Sequence, residues 1–161
     1  MYAITGSSGL CGQHLKYLLQ SKSFKFKEVG RETWDLGDWK SEEQLDRIFK
    51  GVQAIFHFGA SVPNGNNEQQ NNFAELFDAN VRSNVALATW ANSRSIPIVF
   101  LSGSTVYADC HGTSIKESEE KVVNGFGGFY GYTKLLAEHV FAHFSAVGLK
   151  VIILRPSSIY G

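Results

Sequence analysis

Five short apolar, β-branched runs punctuate the chain: Tyr2–Thr5, Phe24–Gly30, Ala54–Phe58, Ile98–Ser102 and Val151–Leu154. Between them the apolar spacing changes. Leu15, Leu18 and Leu19 share one face of a helical pattern that opens near Gly9, and a second pattern opens near Ser41. A third opens near Asn72, where Phe73, Leu76, Phe77, Val81, Val85 and Ala88 trace a stripe. A fourth follows Tyr130, with Leu136, Val140, Phe141, Phe144 and Val147 on one side. Strand-length runs alternating with helical periods predict repeated β-α units and a parallel sheet flanked by helices. Aromatics at these spacings read as core. The alternation Phe24-Lys25-Phe26-Lys27 is unlike a strand buried on both faces, so its first half reads as a solvated lead-in.

Bulk properties narrow the picture. The length of 161 residues suits one domain, residues 1–161, and 43% hydrophobic content is enough for a core. Fifteen basic and fifteen acidic residues cancel, so neither nucleic acid nor membrane is expected as a general partner, and an anion site would be local. No apolar run approaches the roughly 20 residues of a membrane helix. The first strand begins at Tyr2, so no signal peptide is expected. Cys11 and Cys110 make no disulfide framework, and a cytoplasmic location is expected.

The run Thr5-Gly6-Ser7-Ser8-Gly9-Leu10-Cys11-Gly12 lies between the first strand and the first helix. Strand, glycine turn and helix form the context of a dinucleotide cradle. Gly6 would make the turn, Gly9 would admit a pyrophosphate, and Gly12 would let helix and strand pack closely. Free N–H groups at the helix start, near Ser8, Gly9 and Leu10, would hold the phosphates.

Further along stands Tyr130-Gly131-Tyr132-Thr133-Lys134, just ahead of the last amphipathic stretch. A spacing of four puts Tyr130 and Lys134 on one helix face. A neighbouring ammonium is expected to favour the phenolate and lower the tyrosine pKa toward neutrality, giving a base for an alcohol proton.

Together these motifs resemble the extended short-chain dehydrogenase/reductases, the NAD-dependent epimerases and dehydratases acting mostly on nucleotide sugars. The resemblance runs from Met1 to Gly161. It includes Asp35-Leu36-Gly37-Asp38, His57-Phe58-Gly59-Ala60, Asn80-Val81, Leu101-Ser102-Gly103-Ser104-Thr105-Val106-Tyr107 and Arg155-Pro156-Ser157-Ser158-Ile159-Tyr160-Gly161, in the family's order. It implies a Rossmann-type doubly wound sheet binding NAD or NADP. It also implies a nucleotide-sugar substrate and an epimerase, dehydratase or reductase in which Tyr130 takes a hydroxyl proton while hydride passes to nicotinamide. Lys134 would also hydrogen-bond the nicotinamide ribose. Asp35 and Leu36 would flank the adenine, Phe58, Gly59 and Ala60 would run beside the diphosphate and ribose, and Pro156 would contact the nicotinamide end. Arg31 would take a 2′-phosphate if the cofactor is NADP; Gly30 stands where an acidic NAD-selecting residue would fall. Asn80 is expected to brace the sheet.

Two departures stand out. The family's catalytic Ser or Thr falls at Gly103, so Ser104 is the expected substitute, with Ser102 beside it. If none serves, a non-catalytic dinucleotide-binding module is the alternative. The closing Arg-Pro-x-x-x-Tyr-Gly motif normally lies mid-chain, so most of a C-terminal substrate lobe is expected to be missing here. The loops Val62–Asn72, with Pro63, Gly65 and five asparagines, and Asp109–Gly128, ending in Gly125-Phe126-Gly127-Gly128, are expected to face ligand. A homodimer through Asn72–Asn92 and Tyr130–Ala146 follows from the resemblance alone. His139 and His143 lack companion ligands for a metal, Cys11 reads as a small packed residue and His57 as structural.

Overall fold

The computed structural model describes residues 1–63, 73–107, 112, 114–122 and 127–160. Gly65 and the five asparagines of the first loop, Gly125 and Phe126 of the second, Cys110 and Gly161 lie outside the described residues. The elements run β1 (Tyr2–Thr5), α1 (Leu10–Ser21), β2 (Phe26–Val29), α2 (Glu42–Ile48), β3 (Ala54–His57) and α3 (Phe73–Phe77). A π turn (Asp78–Arg82) leads into α4 (Ser83–Ser93), followed by β4 (Ile98–Leu101), a 3-10 turn (Ser104–Val106), α5 (Gly128–Ala146) and β5 (Val151–Leu154).

The five strands among the described residues are all parallel, in the order β2-β1-β3-β4-β5. The expected doubly wound architecture is therefore present. Chain direction across the sheet reverses between β1 and β3, and a crevice opens at their C-terminal ends. β2 starts at Phe26, and Phe24 ahead of it is half exposed. Its alternating pattern has a plain cause: β2 is an edge strand, more solvated than β1 beside it.

Apolar alternation buries Ala3, Ile55, Ile98 and Phe100 against Leu87, Ala88 and Ala91 of α4 and Ala137 and Phe141 of α5. The Phe100 and Phe141 rings meet at 4.7 Å. Each large side chain so buried contributes about 1.5–3 kcal/mol. Val151 and Ile153 pack against this core, whereas Ile152 and Leu154 on the other side of β5 are 59% and 41% exposed. α2 starts where the sequence predicts because Ser41 closes a capping box: Gln44 N–H donates to Ser41 Oγ and Ser41 N–H to Gln44 Oε1 at 2.8 Å.

The third helix departs from expectation. Instead of one helix over 72–92, the π turn divides α3 from α4. Here α4 is buried on most sides by Ser83, Asn84, Ala86, Leu87, Ala88, Trp90 and Ala91, so a single stripe does not describe it.

Candidate nucleotide cradle and catalytic helix

Gly6 has φ +67°, and a Cβ there would stand 2.6 Å from Gly59 N and 2.7 Å from the Phe58 carbonyl carbon. Only glycine allows this turn and this contact between the loops after β1 and β3. A Cβ on Gly12 would overlap the Gly6 carbonyl and lie 2.7 Å from Ser7 Cα, so α1 rests directly on the turn. Gly9 caps α1 with no side-chain hydrogen bond, and no acidic residue occupies the first turn. The N–H groups there, on the positive end of a 12-residue helix, receive no side-chain cap from Gly9.

A cavity of about 510 Å³ opens beside this turn. Of the residues that the sequence offers for a cofactor, Gly6, Ser8, Arg31, Asp35, Leu36, Gly59 and Ala60 line it. Gly9, Leu10 and Phe58 do not, although Phe58 supplies the backbone beneath Gly6. Trp34, Glu75 and Ala79 line it without having been singled out. Trp34 immediately precedes the Asp35-Leu36-Gly37-Asp38 run; Glu75 and Ala79 arrive from α3 and the π turn, which local sequence does not signal. Asp35 Oδ1 accepts the Gly37 N–H at 3.1 Å, closing a turn. Arg31 stands 3.8 Å from Asp35 with its side chain 87% exposed, so the pair holds it weakly. A side chain at Gly30 would meet nothing within 4 Å.

His57 is structural, as expected. It is fully buried, stacked between Trp34 and Phe100 at 6.2 and 6.0 Å. Burial, then the nearby Lys134 charge, push its pKa down to about 3. Its Nδ1 lies 2.8 Å from Thr5 Oγ1, which accepts the Gly59 N–H at 3.1 Å.

The catalytic candidates stand outside this cavity, Tyr130 and Lys134 on α5 and Ser104 in the 3-10 turn. The helix begins at Gly128, ahead of Tyr130 rather than at it. A Cβ at Gly127 or Gly131 would come within 2.5 or 2.7 Å of the Thr105 carbonyl oxygen, so two glycines let α5 press onto the 3-10 turn. Lys134 is 3% exposed; its Nζ donates to the Leu101 carbonyl at 2.6 Å and lies 4.7 Å from the centre of the Phe100 ring. It is 6.0 Å from the centre of the Tyr130 ring. Burial lowers the Lys134 pKa to about 8, partly opposed by Glu138. Burial raises Tyr130 above its ordinary range. This differs from the expected lowering: the ammonium is engaged by Leu101, and desolvation of the phenolate outweighs a charge at that distance.

Asn80 braces a loop against a helix rather than the sheet. It is 1% exposed. Its Oδ1 accepts the Ser61 N–H at 2.8 Å, and its Nδ2 donates to the Ser61 carbonyl at 2.8 Å and to Thr133 Oγ1 at 3.2 Å. The Thr133 hydroxyl donates in turn to the Tyr130 carbonyl at 2.7 Å. The wall of the cavity and the Tyr130–Lys134 turn of α5 are thus linked through one side chain.

Ser104 opens the 3-10 turn, and its N–H donates to the Pro156 carbonyl at 3.0 Å, which brings Pro156 beside it. Arg155 binds both oxygens of Glu138 at 2.8 and 2.9 Å and donates to Tyr107 Oη at 3.2 Å, a structural use of the closing motif. Cys11 is a free thiol of intermediate burial. No three potential metal ligands cluster among the described residues, and no helix there is long and apolar enough to cross a membrane.

A parallel α/β sheet with a glycine cradle at its switch point, and a Tyr-x-x-x-Lys helix beside it, defines a nucleotide-cradle domain of the doubly wound class. The chain belongs to the NAD dependent epimerase/dehydratase family, whose model matches residues 2–161. Among solved structures it is similar to a dTDP-4-dehydrorhamnose reductase from Clostridium acetobutylicum, at 22% identity and TM-score 0.83, over 99% of this chain and 54% of that one. It is similar to a short-chain dehydrogenase/reductase superfamily protein from Agrobacterium tumefaciens with bound NAD, at 24% identity and TM-score 0.79, over 96% and 48%. A dTDP-4-dehydrorhamnose reductase from Bacillus anthracis in complex with NADP matches at 18% identity and TM-score 0.79, over 99% and 54%. The chain spans about half the length of these relatives.

Proposed function

We propose that this chain is the dinucleotide-holding domain of an NAD(P)-dependent enzyme acting on a nucleotide sugar. The observation that carries this reading is the contact of Gly6 with the Gly59 backbone beside an uncapped α1, opening into the 510 Å³ cavity. These groups fit a dinucleotide: N–H donors for phosphates and a cleft between the loops after β1, β2 and β3. Gly6, Ser8 and Gly9 would hold the diphosphate, and Asp35 and Leu36 the adenosine side. Bound there, the nicotinamide supplies the hydride chemistry.

Tyr130 exchanges the proton with the reacting sugar oxygen. In an epimerase or dehydratase it takes that proton as a base. Its raised pKa favours the opposite direction, because a phenol protonated at neutral pH is suited to donate to a ketone oxygen. That supports the second reading, a sugar-nucleotide reductase. NADPH as the donor is supported by the open space at Gly30 and the weakly held Arg31 on the cavity rim. A homodimer through α3–α4 and α5 is supported by the exposed Phe73, Phe77, Val85 and Tyr132; sedimentation equilibrium decides it.

The test is a parallel fluorescence titration of the 161-residue chain with NADH and NADPH. A 340 nm assay against UDP- and dTDP-sugars follows, with Tyr130→Phe as control. Binding of NADPH over NADH with Tyr130-dependent turnover supports the reductase. Binding with no Tyr130-dependent turnover supports a non-catalytic module, and binding of neither nucleotide sinks the whole reading.

A further inference from the structure

Tyr130, Lys134 and Glu138 succeed one another along one stripe of α5, each a turn beyond the last. An acid four residues from a lysine on a helix is placed to pair with it. Here each is engaged elsewhere. The Lys134 ammonium donates to the Leu101 carbonyl at 2.6 Å and lies 4.7 Å from the centre of the Phe100 ring. Both Glu138 oxygens accept from Arg155, Oε1 from Nε at 2.8 Å and Oε2 from Nη2 at 2.9 Å. A two-pronged guanidinium satisfies a carboxylate in a geometry that an ammonium cannot match.

The guanidinium is itself held in place. Its Nη1 donates to Tyr107 Oη at 3.2 Å, and the centre of that ring lies 5.8 Å from its Cζ. Tyr107 Oη donates in turn to the Glu117 carbonyl at 3.1 Å. The Pro156 carbonyl, next along the chain, accepts the Ser104 N–H at 3.0 Å. Glu138 and Lys134 are 4% and 3% exposed, so water would screen little of any attraction between them. A carboxylate freed from Arg155 would draw the ammonium away from Leu101 and Tyr130, toward the C-terminal end of α5. The other groups around Lys134 carry no charge at neutral pH. His57 on β3 is buried, its pKa pushed down to about 3, and the Tyr130 phenol is raised above its ordinary range. From β4 come only the Leu101 carbonyl and the Phe100 ring, which do not titrate.

We propose that Arg155 is a positioning residue for Lys134: by holding both oxygens of Glu138 it keeps that carboxylate from pairing with the ammonium one turn away, and so reserves Lys134 for Tyr130 and the dinucleotide. This rests on the reading of Tyr130 and Lys134 as the pair that meets sugar and cofactor.

The experiment follows the lysine Cε atoms by carbon NMR from about pH 6 to about pH 11 in the 161-residue chain, with Lys134→Met identifying the Lys134 signal. It compares Arg155→Gln, Glu138→Gln and the two combined, and measures Tm and the NADPH Kd of each. In Arg155→Gln the released carboxylate should make Lys134 titrate at least about one pH unit above the parent and weaken NADPH binding about tenfold. Glu138→Gln should lower the Lys134 titration by no more than about half a pH unit and keep the Kd within about threefold, because Arg155 already occupies that carboxylate. The combined variant should match Glu138→Gln, the need for Arg155 vanishing with the charge it holds. A purely structural Arg155 would lower Tm in Arg155→Gln and leave the Lys134 titration where it is, a result that overturns the proposal. So does a fall of about one pH unit or more in Glu138→Gln, which would show Glu138 acting on Lys134 already and is readable even where Arg155→Gln does not fold. If Lys134→Met binds NADPH as the parent does, the reading of Lys134 as a dinucleotide ligand fails, while the titration still decides whether Arg155 holds Glu138 from it.

Discussion

Lys134 carries a charge where the fold resists one, and replacing it measures how much. The ammonium is 3% exposed, with a pKa lowered from 10.5 to about 8, chiefly by burial. Below pH 8 the lysine is protonated in both folded and unfolded chains, and the full penalty is present. Between pH 8 and 10.5 the folded chain has released its proton while the unfolded chain retains it, so stability rises with pH. A displacement of about 2.5 pKa units corresponds to about 3 kcal/mol. Lys134→Met keeps the length of the side chain and removes the charge. At pH 7 the variant should be more stable than the parent by about 1–3 kcal/mol, the lower end allowing for the lost bond to the Leu101 carbonyl. The assay is urea unfolding of both proteins from pH 6.5 to 10.5, comparing midpoints at constant slope. Other titrating groups are common to both chains and cancel in the difference. The gap should be constant to about pH 7.5 and then close steadily. A gap that stays flat to pH 10.5 would refute the argument that Lys134 is destabilised by burial. Dinucleotide affinity should fall in the same variant, placing stability and function in opposition at one residue.

Three further outcomes follow. Gly6→Ala combines a left-handed backbone penalty with a methyl 2.6 Å from Gly59 N; about 2–5 kcal/mol of stability should be lost with NAD(P)H binding, measured by denaturation and fluorescence. Arg155→Leu strands the 4%-exposed Glu138 carboxylate and should cost about 3–5 kcal/mol at pH 7, an effect that recedes when Glu138→Leu is added. Arg31→Ala should weaken NADPH binding tenfold or more and leave NADH within twofold; equal effects on both would remove Arg31 from the 2′-phosphate role.

Much of the fold is legible in the amino-acid sequence. Strand runs such as Ala54–Phe58 carried their type in apolar density, and Gly6 and Gly12 are glycine for the steric reasons their spacing implied. Ser41 announced α2 because capping is local chemistry. What escaped was non-local. Glu75 and Ala79 reach the cavity from α3 and the π turn, far along the chain from the glycine turn beside it. The direction of the Tyr130 pKa depends on burial by neighbours far along the chain and on where Lys134 spends its hydrogen bond, neither of which a four-residue spacing encodes.

The π turn between α3 and α4 adds one residue to what would otherwise be a single rod. That residue acts as a clutch. Glu75 and Ala79 are aimed at the cavity while Leu87 and Trp90 are aimed at the core, and no uninterrupted 3.6-residue repeat need satisfy both aims. Each segment can therefore vary its sequence to suit its own neighbour, and Asn80, inside the turn, is the point where the two demands meet.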